Sequence, residues 1–403
     1  MGRNFLVAGI LAFSSFAHAA DGPASWKGNV VFGKKPNAEI AFGDDKKAML
    51  AFRGVFPLRV WDDRDGRLLL FDGHREGWTN KDQFVLSVDA AAYFTDEIKA
   101  HPADPFAWRS RGQAWIDRRE YDNAIKDLTE SIRLDPRSAE SFGRRGTTRD
   151  LMHDFEKAIA DYNEAIRLDP KSANALYDRG CCWYSQREYD KAMKDFEEAL
   201  RLEPRSPNAI CGRGSVWSAQ KQYDKALTDF NEAIRLNPRS AAAYAGRGDI
   251  WTVKQDFKKA IREYDEAIRL DPTLGSAWYS RGVAWGELKD YEQALRDYDE
   301  AFKLGIRDKF LHFNRGAVLG KAGQHEKAMK DFDAAIRLDP KFALAFSSRG
   351  ISREYLHECD KAIQDCDEAI RLDPKIHRAY TCRGIRCSSL SFMGGRPSTC
   401  DCS

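Results

Sequence analysis

Histidines are the first residues of this 403-residue chain that could carry out catalysis or bind a metal. No two of them have the three- or four-residue spacing that places two imidazoles on one helix face. The chain also lacks a Gly-x-x-x-x-Gly-Lys-Ser/Thr phosphate loop and a Gly-x-Ser-x-Gly nucleophile turn. Its many carboxylates fall on predicted solvated helix faces, where no pair stands out as general acid and base. We therefore expect a protein that is not an enzyme and that holds no catalytic metal and no cofactor.

Cysteines could also bind a metal or form a redox site, and the chain has nine of them. No two form a Cys-x-x-Cys motif, which argues against a zinc ribbon and a thioredoxin-type site. The odd number leaves at least one thiol without a disulfide partner. For Cys181, Cys182 and Cys211 we expect the role of small buried apolar side chains.

Arginines recur at a constant interval in Arg-Gly pairs, and a basic ladder for ligand binding is one interpretation. Each of the first eight arginines is followed at a fixed spacing by an acidic residue, as Arg111 is by Asp127. We therefore favour charge pairing between helices over ligand contact. The tryptophans at 115, 183, 217, 251 and 285 share one repeat position shortly after the arginine. Their fixed position favours a place in the core over a stacking platform for sugars or bases.

The elements that position these residues are internal repeats. Prolines at 102, 136, 170, 204, 238, 272, 340 and 374 keep the same period as the Arg-Gly pairs, with one interval doubled across Ile306. We place eight units at residues 105–376, a leading half-unit helix at 89–104, and a truncated ninth unit with an irregular tail at 377–403. In each unit a first helix carries Gly at position 8, and a second helix carries Ala at position 20 and, in most units, an aromatic at 24. A single helix hairpin cannot bury these side chains alone, so neighbouring hairpins must stack.

This pattern, with its period of about 34 residues, resembles the tetratricopeptide repeat (TPR). The resemblance implies a mainly α fold, an α-solenoid in which helix hairpins wind into a right-handed superhelix whose groove binds extended peptides or partner helices. Positions 2, 5, 9, 12 and 13 of the first helices line the groove in that family. Carried onto this chain, they give the expected groove residues Tyr177, Cys181, Tyr184, Ser215, Ser218, Asp249, Tyr279, Glu287, Phe313, Lys321, Ile351 and Tyr355.

Residues 25–88 lose the period and contain short strand-like runs separated by turn residues. The runs are predicted at residues 29–32, 39–42, 49–52, 56–61, 67–71 and 84–88. The stretch from Phe56 to Leu86 resembles a bacterial SH3-like β-barrel, which implies a small all-β domain before the repeats. Trp78, beside a turn, is the candidate for a binding surface on this domain.

Residues 1–19 have the three parts of a secretory signal peptide: a cationic start, an apolar stretch and a small-x-small cleavage site at Ala17-His18-Ala19. The apolar stretch is too short to span a bilayer, so we expect no transmembrane segment after cleavage. The protein is therefore expected to be exported, and to be periplasmic, associated with the cell envelope, or secreted.

Charge excludes a further class of function. Lys and Arg number 64 against 62 Asp and Glu, which leaves a net charge of +2 rather than the basic excess of nucleic-acid binders. We expect a protein–protein interaction scaffold that binds a partner protein or extended peptide in the groove. The alternative is a cell-envelope attachment protein whose SH3-like domain binds wall material or peptides.

Overall fold

The computed structural model describes residues 30–34, 37–42, 49–53, 58–64, 67–71, 76–80 and 84–381. The predicted signal peptide and the tail after residue 381 lie outside the described residues. Cys382, Cys387, Cys400 and Cys402 belong to that tail.

The described β strands form one antiparallel sheet in the order β3-β2-β6-β5-β4-β1-β7. β6 is not among the predicted strands: it contains Gly77 and Trp78, and it pairs with β2 and β5. The predicted last strand extends too far, because Ser87 and Val88 already belong to a helix. The bounds are β1 (Val30–Gly33), β2 (Asn37–Phe42), β3 (Met49–Arg53), β4 (Leu58–Arg64), β5 (Arg67–Phe71), β6 (Glu76–Asn80) and β7 (Phe84–Leu86).

Helices account for nearly all of the chain from residue 87 to residue 381, and a helical segment at 377–381 follows the last of those named here. Most first helices of the hairpins have 13 residues and most second helices have 14. The bounds are α1 (Ser87–Ala100), α2 (Pro105–Asp117), α3 (Tyr121–Leu134), α4 (Ala139–Leu151), α5 (Phe155–Leu168), α6 (Ala173–Ser185), α7 (Tyr189–Leu202), α8 (Pro207–Ala219), α9 (Tyr223–Leu236), α10 (Ala241–Val253), α11 (Phe257–Leu270), α12 (Gly275–Glu287), α13 (Tyr291–Lys303), α14 (Lys309–Lys321), α15 (His325–Leu338), α16 (Ala343–Tyr355) and α17 (Cys359–Leu372).

Local sequence fixes where the first helices begin. The Ser138, Ser172 and Ser240 side chains each accept a hydrogen bond from a backbone N–H in the first turn of the following helix. A serine hydroxyl at this place satisfies one of the donors that a helix N-terminus leaves unpaired. Pro105 and Pro207 begin α2 and α8, where a proline lacks only an N–H that would be unpaired anyway.

The turn inside each hairpin needs a residue in the left-handed backbone region. Seven of these positions hold a residue other than glycine, for example Lys289 with φ 65°, and in α14–α15 the position holds Gly323 with φ 76°. Residues with a Cβ adopt this conformation at a steric cost. The regular recurrence of the turn shows that packing of the two helices outweighs this local cost in each hairpin.

Each hairpin core depends on a close approach between its two helices. A Cβ added to Gly146 of α4 would lie 2.8 Å from Cε1 of Tyr162 on α5, and one added to Gly180 of α6 would lie 2.8 Å from Cε1 of Phe196 on α7. Tyr162 and Phe196 are almost completely buried. In these two hairpins the glycine of the Arg-Gly pair is required because the ring of the second helix occupies the place of its side chain.

The chain forms two compact units, residues 1–225 and 226–403. In unit 1 the sheet contributes Phe32 and Val85 to a core that also contains Phe94 of α1 and Phe106 of α2. β7 continues into α1 without an intervening linker. The β region and the helices α1 and α2 therefore share one hydrophobic core.

Unit 2 buries its own series of cores between successive hairpins. Tyr264 packs with Leu274 and Ala277, and Tyr298 packs with Leu311 and Val318. Within the described residues, no helix is long and apolar enough to cross a bilayer. The expected fold class, a mainly α solenoid preceded by a small β region, is confirmed.

Two glycines of α4 test the packing constraint. We expect Gly146→Ala to destabilise the protein by about 1–3 kcal/mol, because the new methyl group overlaps the buried ring of Tyr162. Gly143→Ala in the same helix is the control: a Cβ there meets no atom within 4 Å. It should leave stability unchanged or raise it by up to about 1 kcal/mol, because alanine favours the helix. Urea unfolding of the full chain measures both changes, and equal effects of the two substitutions would contradict the packing argument.

Candidate partner-binding face

In seven Arg-Gly pairs of the described residues, the arginine is held by the acidic residue predicted for it. In α2–α3, Arg111 donates from Nε and Nη2 to the two carboxylate oxygens of Asp127 at 2.7 and 2.8 Å. The same two-pronged contact joins Arg179 to Asp195 and Arg349 to Asp365. The expected charge pairing is confirmed, and it is buried: Asp127 is 4% exposed and Asp365 3%.

A second donor reaches the same carboxylate, and its identity changes from repeat to repeat. In the first repeat Trp115 Nε1 donates to Asp127 Oδ2 at 2.9 Å. In the second, Arg149 occupies the tryptophan position and its Nη1 donates to Asp161 Oδ2 at 2.7 Å. Arg353 does the same for Asp365. The two arginines that stand at the tryptophan position therefore keep the hydrogen bond to the carboxylate although they lack the ring.

In the seventh repeat a different residue supplies the second hydrogen-bond donor to the carboxylate, because Leu319 occupies the tryptophan position and cannot donate. There, His312 Nδ1 lies 3.1 Å from Asp331 Oδ1, while Arg315 donates to both carboxylate oxygens. Burial acts to raise the pKa of Asp331, but hydrogen bonds from His312 and Arg315 outweigh burial and lower the pKa. The carboxylate therefore stays ionised in the folded state.

Each of these arginines also reaches back to the preceding hairpin. The Nη1 group of Arg179 donates to Asn163 Oδ1 at 2.7 Å, and that of Arg281 donates to Asp265 Oδ1 at 2.6 Å. The equivalent arginines of five other hairpins donate from Nη1 in the same way, to the side chains of Thr95, Thr129, Asn231, Asp299 and Asp333. The arginine ladder thus links neighbouring hairpins within each unit, and its donors are engaged inside the protein.

The tryptophans of this repeat position are half-buried rather than fully buried in the core. The ammonium groups of Lys191 and Lys259 lie 4.4 Å from the ring centroids of Trp183 and Trp251. A lysine over the face of a tryptophan is attracted by the electron-rich ring. These rings are therefore covered by the protein's own cations, which leaves them little surface for a stacking ligand.

The face formed by positions 2, 5, 9, 12 and 13 of the first helices, here called the first-helix face, has a polar and largely closed part in unit 1. Cys181, Tyr184 and Ser215 are 6%, 4% and 7% exposed, and Tyr177 and Ser218 are half-buried. Tyr177, Cys181 and Tyr184 pack in one cluster with Phe196. These residues hold the hairpin together, so alanine substitutions of the two tyrosines would remove core packing as well as any partner contact.

Cys182 and Cys211 are also buried in this unit, so the burial that the sequence predicted for all three cysteines is confirmed. Burial raises the pKa of the Cys181 thiol well above its usual value, and the negative charge of Asp178 raises it further. The three thiols behave as small apolar side chains.

The first-helix face of unit 2 is more apolar and more open. Phe313 packs against Phe342 and Phe332, with ring centroids 5.1 and 6.0 Å apart. Tyr279 accepts a hydrogen bond on its hydroxyl from Asn314 Nδ2 at 2.7 Å. Asp249, Tyr279, Phe313 and Ile351 are half-buried, whereas Glu287, Lys321 and Tyr355 are exposed. This face thus combines a packed aromatic base with exposed side chains at position 13.

Two exposed apolar residues on this face are absent from the predicted set. Leu344 at position 2 of the eighth repeat is 48% exposed, and Val253 at position 13 of the fifth is 54% exposed. Tyr355, which belongs to the predicted set, is 65% exposed, and its ring stacks on His325 at a centroid distance of 4.3 Å. Both residues stand at positions that were used to predict the face, positions 2 and 13, so the sequence alone could have identified them.

Comparison with models of known families shows which family the chain belongs to. Models described as tetratricopeptide repeat match residues 89–139, 152–210, 217–274, 254–309 and 310–342, which together are more than half of the chain. The chain belongs to the tetratricopeptide-repeat family. Proteins of this family are generally protein-interaction scaffolds. Among curated proteins, none matches the sequence of this TPR protein significantly.

Solved structures of other repeat proteins are similar to this chain at low sequence identity. A chain of the APC/C hetero-tetramer Cut9-Hcn1 matches with a TM-score of 0.59 and 14% identity, over 73% of this TPR protein and 58% of that chain. YrrB, a TPR protein with an unusual peptide-binding site, matches with a TM-score of 0.42 and 25% identity, over 47% and 97% of the two chains. A tetratricopeptide repeat protein from Parabacteroides merdae matches with 0.48 and 18%, over 62% and 98%. The similarity to the chain of the Cut9-Hcn1 assembly is one of fold.

The donor exchange between tryptophan and arginine gives a testable prediction. We expect Arg149→Leu to destabilise the TPR protein by about 1–2 kcal/mol, because the buried Asp161 carboxylate loses one charged donor. Arg149→Trp should come close to wild-type stability, because Trp115 makes the equivalent bond in the first repeat. Chemical unfolding of the two variants is the measurement.

Arg133→Leu serves as a surface control, since Arg133 pairs with Glu130 on an exposed helix face. Its effect should stay below about 0.5 kcal/mol, as for other exposed helical ion pairs. Equal losses for leucine and tryptophan at position 149 would show that the hydrogen bond to Asp161 is not what the side chain contributes.

Proposed function

We propose that this TPR protein is a non-enzymatic interaction scaffold that binds a partner protein or extended peptide on the first-helix face, with the apolar part in unit 2 as the main contact. The observation that carries the proposal is the exposure of Leu344 and Tyr355 on that face, at 48% and 65%. Exposed large apolar side chains that share one face mark interaction sites more often than isolated ones do. Enzyme activity is not part of this proposal.

The engagement of the charged ladder supports this assignment. Arg281, Arg315 and Arg349 each contact one acidic residue of their own hairpin and one of the preceding hairpin. A ligand that competed for these arginines would have to break partly buried ion pairs, which is costly. The first-helix face does not carry this cost, because Tyr355 and Leu344 are open to solvent.

Apolar burial would supply the affinity, and polar neighbours would set the register of the bound segment. A partner side chain that covers Tyr355 removes aromatic surface from water, and each buried Å² contributes about 25 cal/mol. Lys321 and Glu287 are exposed at position 13 of the neighbouring first helices and can pair with charges of the partner. The partner segment is thus expected to present apolar side chains flanked by charged ones.

We also propose that the TPR protein is exported, and that it is periplasmic, associated with the cell envelope, or secreted. The support is the signal-like sequence of residues 1–19, with its cationic start, apolar stretch and Ala17-His18-Ala19.

The SH3-like character of residues 25–88 is likewise a proposal, supported by the seven short antiparallel strands of the described residues. Trp78 lies in β6, where its backbone pairs with Ala41 of β2 and Leu69 of β5. Binding of wall material through this domain stays a prediction of the resemblance alone.

The groove assignment is tested with Tyr355→Ser combined with Leu344→Ser in the full chain. We expect at least about a tenfold loss of affinity for the partner, because residues at the centre of an interface commonly contribute more than about 1 kcal/mol each. Capture from an envelope extract with the wild-type chain identifies the partner, and titration of that partner against both proteins gives the dissociation constants.

Leu338→Ser is the matched control, because Leu338 is 53% exposed at the end of the second helix α15 and lies off the first-helix face. It should bind like the wild type. If the control and the double variant lose affinity equally, or if neither loses any, the first-helix face of unit 2 is not the binding surface.

A further inference from the structure

Three repeats carry a tyrosine at position 24 of the second helix, and the hydroxyls of two of them are hydrogen-bonded inside the protein. In the second repeat, Tyr162 donates to Thr147 Oγ1 at 3.2 Å. In the fifth, Tyr264 donates to Asp249 Oδ1 at 2.8 Å, and its hydroxyl lies 3.0 Å from Thr252 Oγ1. These partners stand at positions 9 and 12 of the first helix. The two positions therefore supply the groups that pair with a tyrosine at position 24.

Tyr298, the tyrosine of the sixth repeat, has no such partner. Positions 9 and 12 hold Val283 and Gly286 there, and neither has a polar side chain. Among the described residues no hydrogen bond reaches the Tyr298 hydroxyl, although the residue is only 1% exposed. Polar groups that are buried in native proteins are normally paired, because an unpaired one loses its bonds to water without compensation. The hydroxyl therefore points to an acceptor that lies outside the described part of the chain.

The unpaired hydroxyl lies at the base of the first-helix face of unit 2. A Cβ added to Gly286, at position 12 of α12, would be 4.0 Å from Tyr298 Oη and 3.2 Å from Cγ2 of Val318. The Tyr298 oxygen is not one of the fully enclosed unpaired atoms of the described residues, so it keeps an opening to solvent. Position 12 belongs to the first-helix face. A group bound on that face at α12 is thus placed next to the hydroxyl.

A second tyrosine hydroxyl and an amide stand beside Tyr298. The rings of Tyr279 and Tyr298 have centroids 6.1 Å apart, and they pack in one cluster with Val283 and Val318. Asn314 Nδ2 of α14 donates to the Tyr279 hydroxyl at 2.7 Å. This bond leaves the hydroxyl hydrogen of Tyr279 and the Oδ1 atom of Asn314 without a partner among the described residues. The three side chains therefore present two O–H donors and one carbonyl acceptor at one place on the face.

This combination of donors and acceptor selects the chemical class of the ligand. Burial raises the pKa of Tyr298 well above its ordinary value and that of Tyr279 to about 12, so both hydroxyls keep their protons at neutral pH. A carboxylate or phosphate only accepts, and it would meet the carbonyl oxygen of Asn314. An ammonium group only donates, and it would leave both hydroxyl hydrogens unsatisfied. A peptide main chain offers C=O and N–H groups together, so it satisfies all three side chains.

We propose that Tyr298, Tyr279 and Asn314 form a subsite for the main chain of an extended partner segment, in which the two hydroxyls donate to carbonyl oxygens and Asn314 Oδ1 accepts from an N–H. The inference rests on the proposed function, and it places the bound segment across the sixth and seventh repeats. Main-chain groups are present whatever the side chains of the segment are. The subsite thus positions the segment, while Leu344 and Tyr355 contact its side chains.

The first part of the test needs no partner and uses urea unfolding of the full chain. Tyr298→Phe should leave the stability unchanged or raise it, because the hydroxyl that it removes is unpaired in the free protein. Tyr162→Phe is the matched control, since it removes a hydroxyl that is bonded to Thr147. Its unfolding equilibrium constant should rise by about two- to tenfold, as for one lost hydrogen bond. A loss in Tyr298→Phe as large as in Tyr162→Phe overturns the proposal.

The second part uses N-methylacetamide, a single peptide group between two methyl groups, as the probe. Titrated into the full chain with isotope-labelled tyrosine, it should shift the NMR signals of Tyr279 and Tyr298 saturably, and acetate and methylammonium should not. Tyr298→Phe should weaken probe binding at Tyr279 by about two- to tenfold. Val283→Thr should do the same, because a threonine at position 9 pairs with the tyrosine as Thr147 does. Tyr162→Phe should bind the probe like the wild type.

No saturable response to N-methylacetamide overturns the subsite, as does a stronger response to acetate or methylammonium. A response that is the same in wild type, Tyr298→Phe and Val283→Thr also overturns it. These outcomes do not depend on the partner, so they decide the subsite even if the proposed function fails.

The partner captured with the wild-type chain separates the subsite from the proposed function. Tyr298→Phe should weaken its binding by about two- to tenfold. If Tyr355→Ser with Leu344→Ser loses affinity and Tyr298→Phe does not, the face binds the partner but the subsite is wrong. Replacing the Asn and Gln side chains of the partner segment by alanine should leave the effect of Tyr298→Phe intact. If the effect disappears with them, a side-chain amide occupies the subsite and the main-chain assignment is wrong.

Discussion

A close contact between the glycine of an Arg-Gly pair and a side chain of the second helix is the constraint on which the described hairpins depend. Where Gly146 meets Tyr162, the ring fills the volume that any larger residue would need. This contact sets the distance between the two helices. Once that distance is fixed, the arginine next to the glycine is brought against the acid of the second helix, and the turn must close through a left-handed residue.

The arginine of the Arg-Gly pair connects one hairpin to the next. Arg179 binds Asp195 of its own hairpin and Asn163 of the preceding one, so a single guanidinium fixes both the packing within a repeat and the stacking between repeats. The periodic arginines of the sequence therefore have a structural role. In the proposed function, partner recognition uses the irregular positions of the first helices, such as Leu344 and Tyr355.

Much of the helical fold was predictable because its determinants are local and recur. The constant repeat period, the proline after most second helices and the glycine of each first helix all appear in the sequence. Strand β6 was missed because Glu76–Asn80 has no run of β-branched or aromatic residues and is held in place by pairing with β2 and β5. The candidate face was predictable by position, but its accessibility was not: Tyr184 and Tyr355 occupy neighbouring family positions, and they are 4% and 65% exposed.

The sequence by itself determined the repeat and the pairing of arginine with acid, because each of these is a matter of residue type at fixed spacing. Only the tertiary structure decided which second donor serves each buried carboxylate. It likewise brought Arg179 to Asn163, although they belong to different repeats of the chain. Such contacts depend on how one hairpin is placed on the next, and this placement results from the packing of many side chains together rather than from any local pattern.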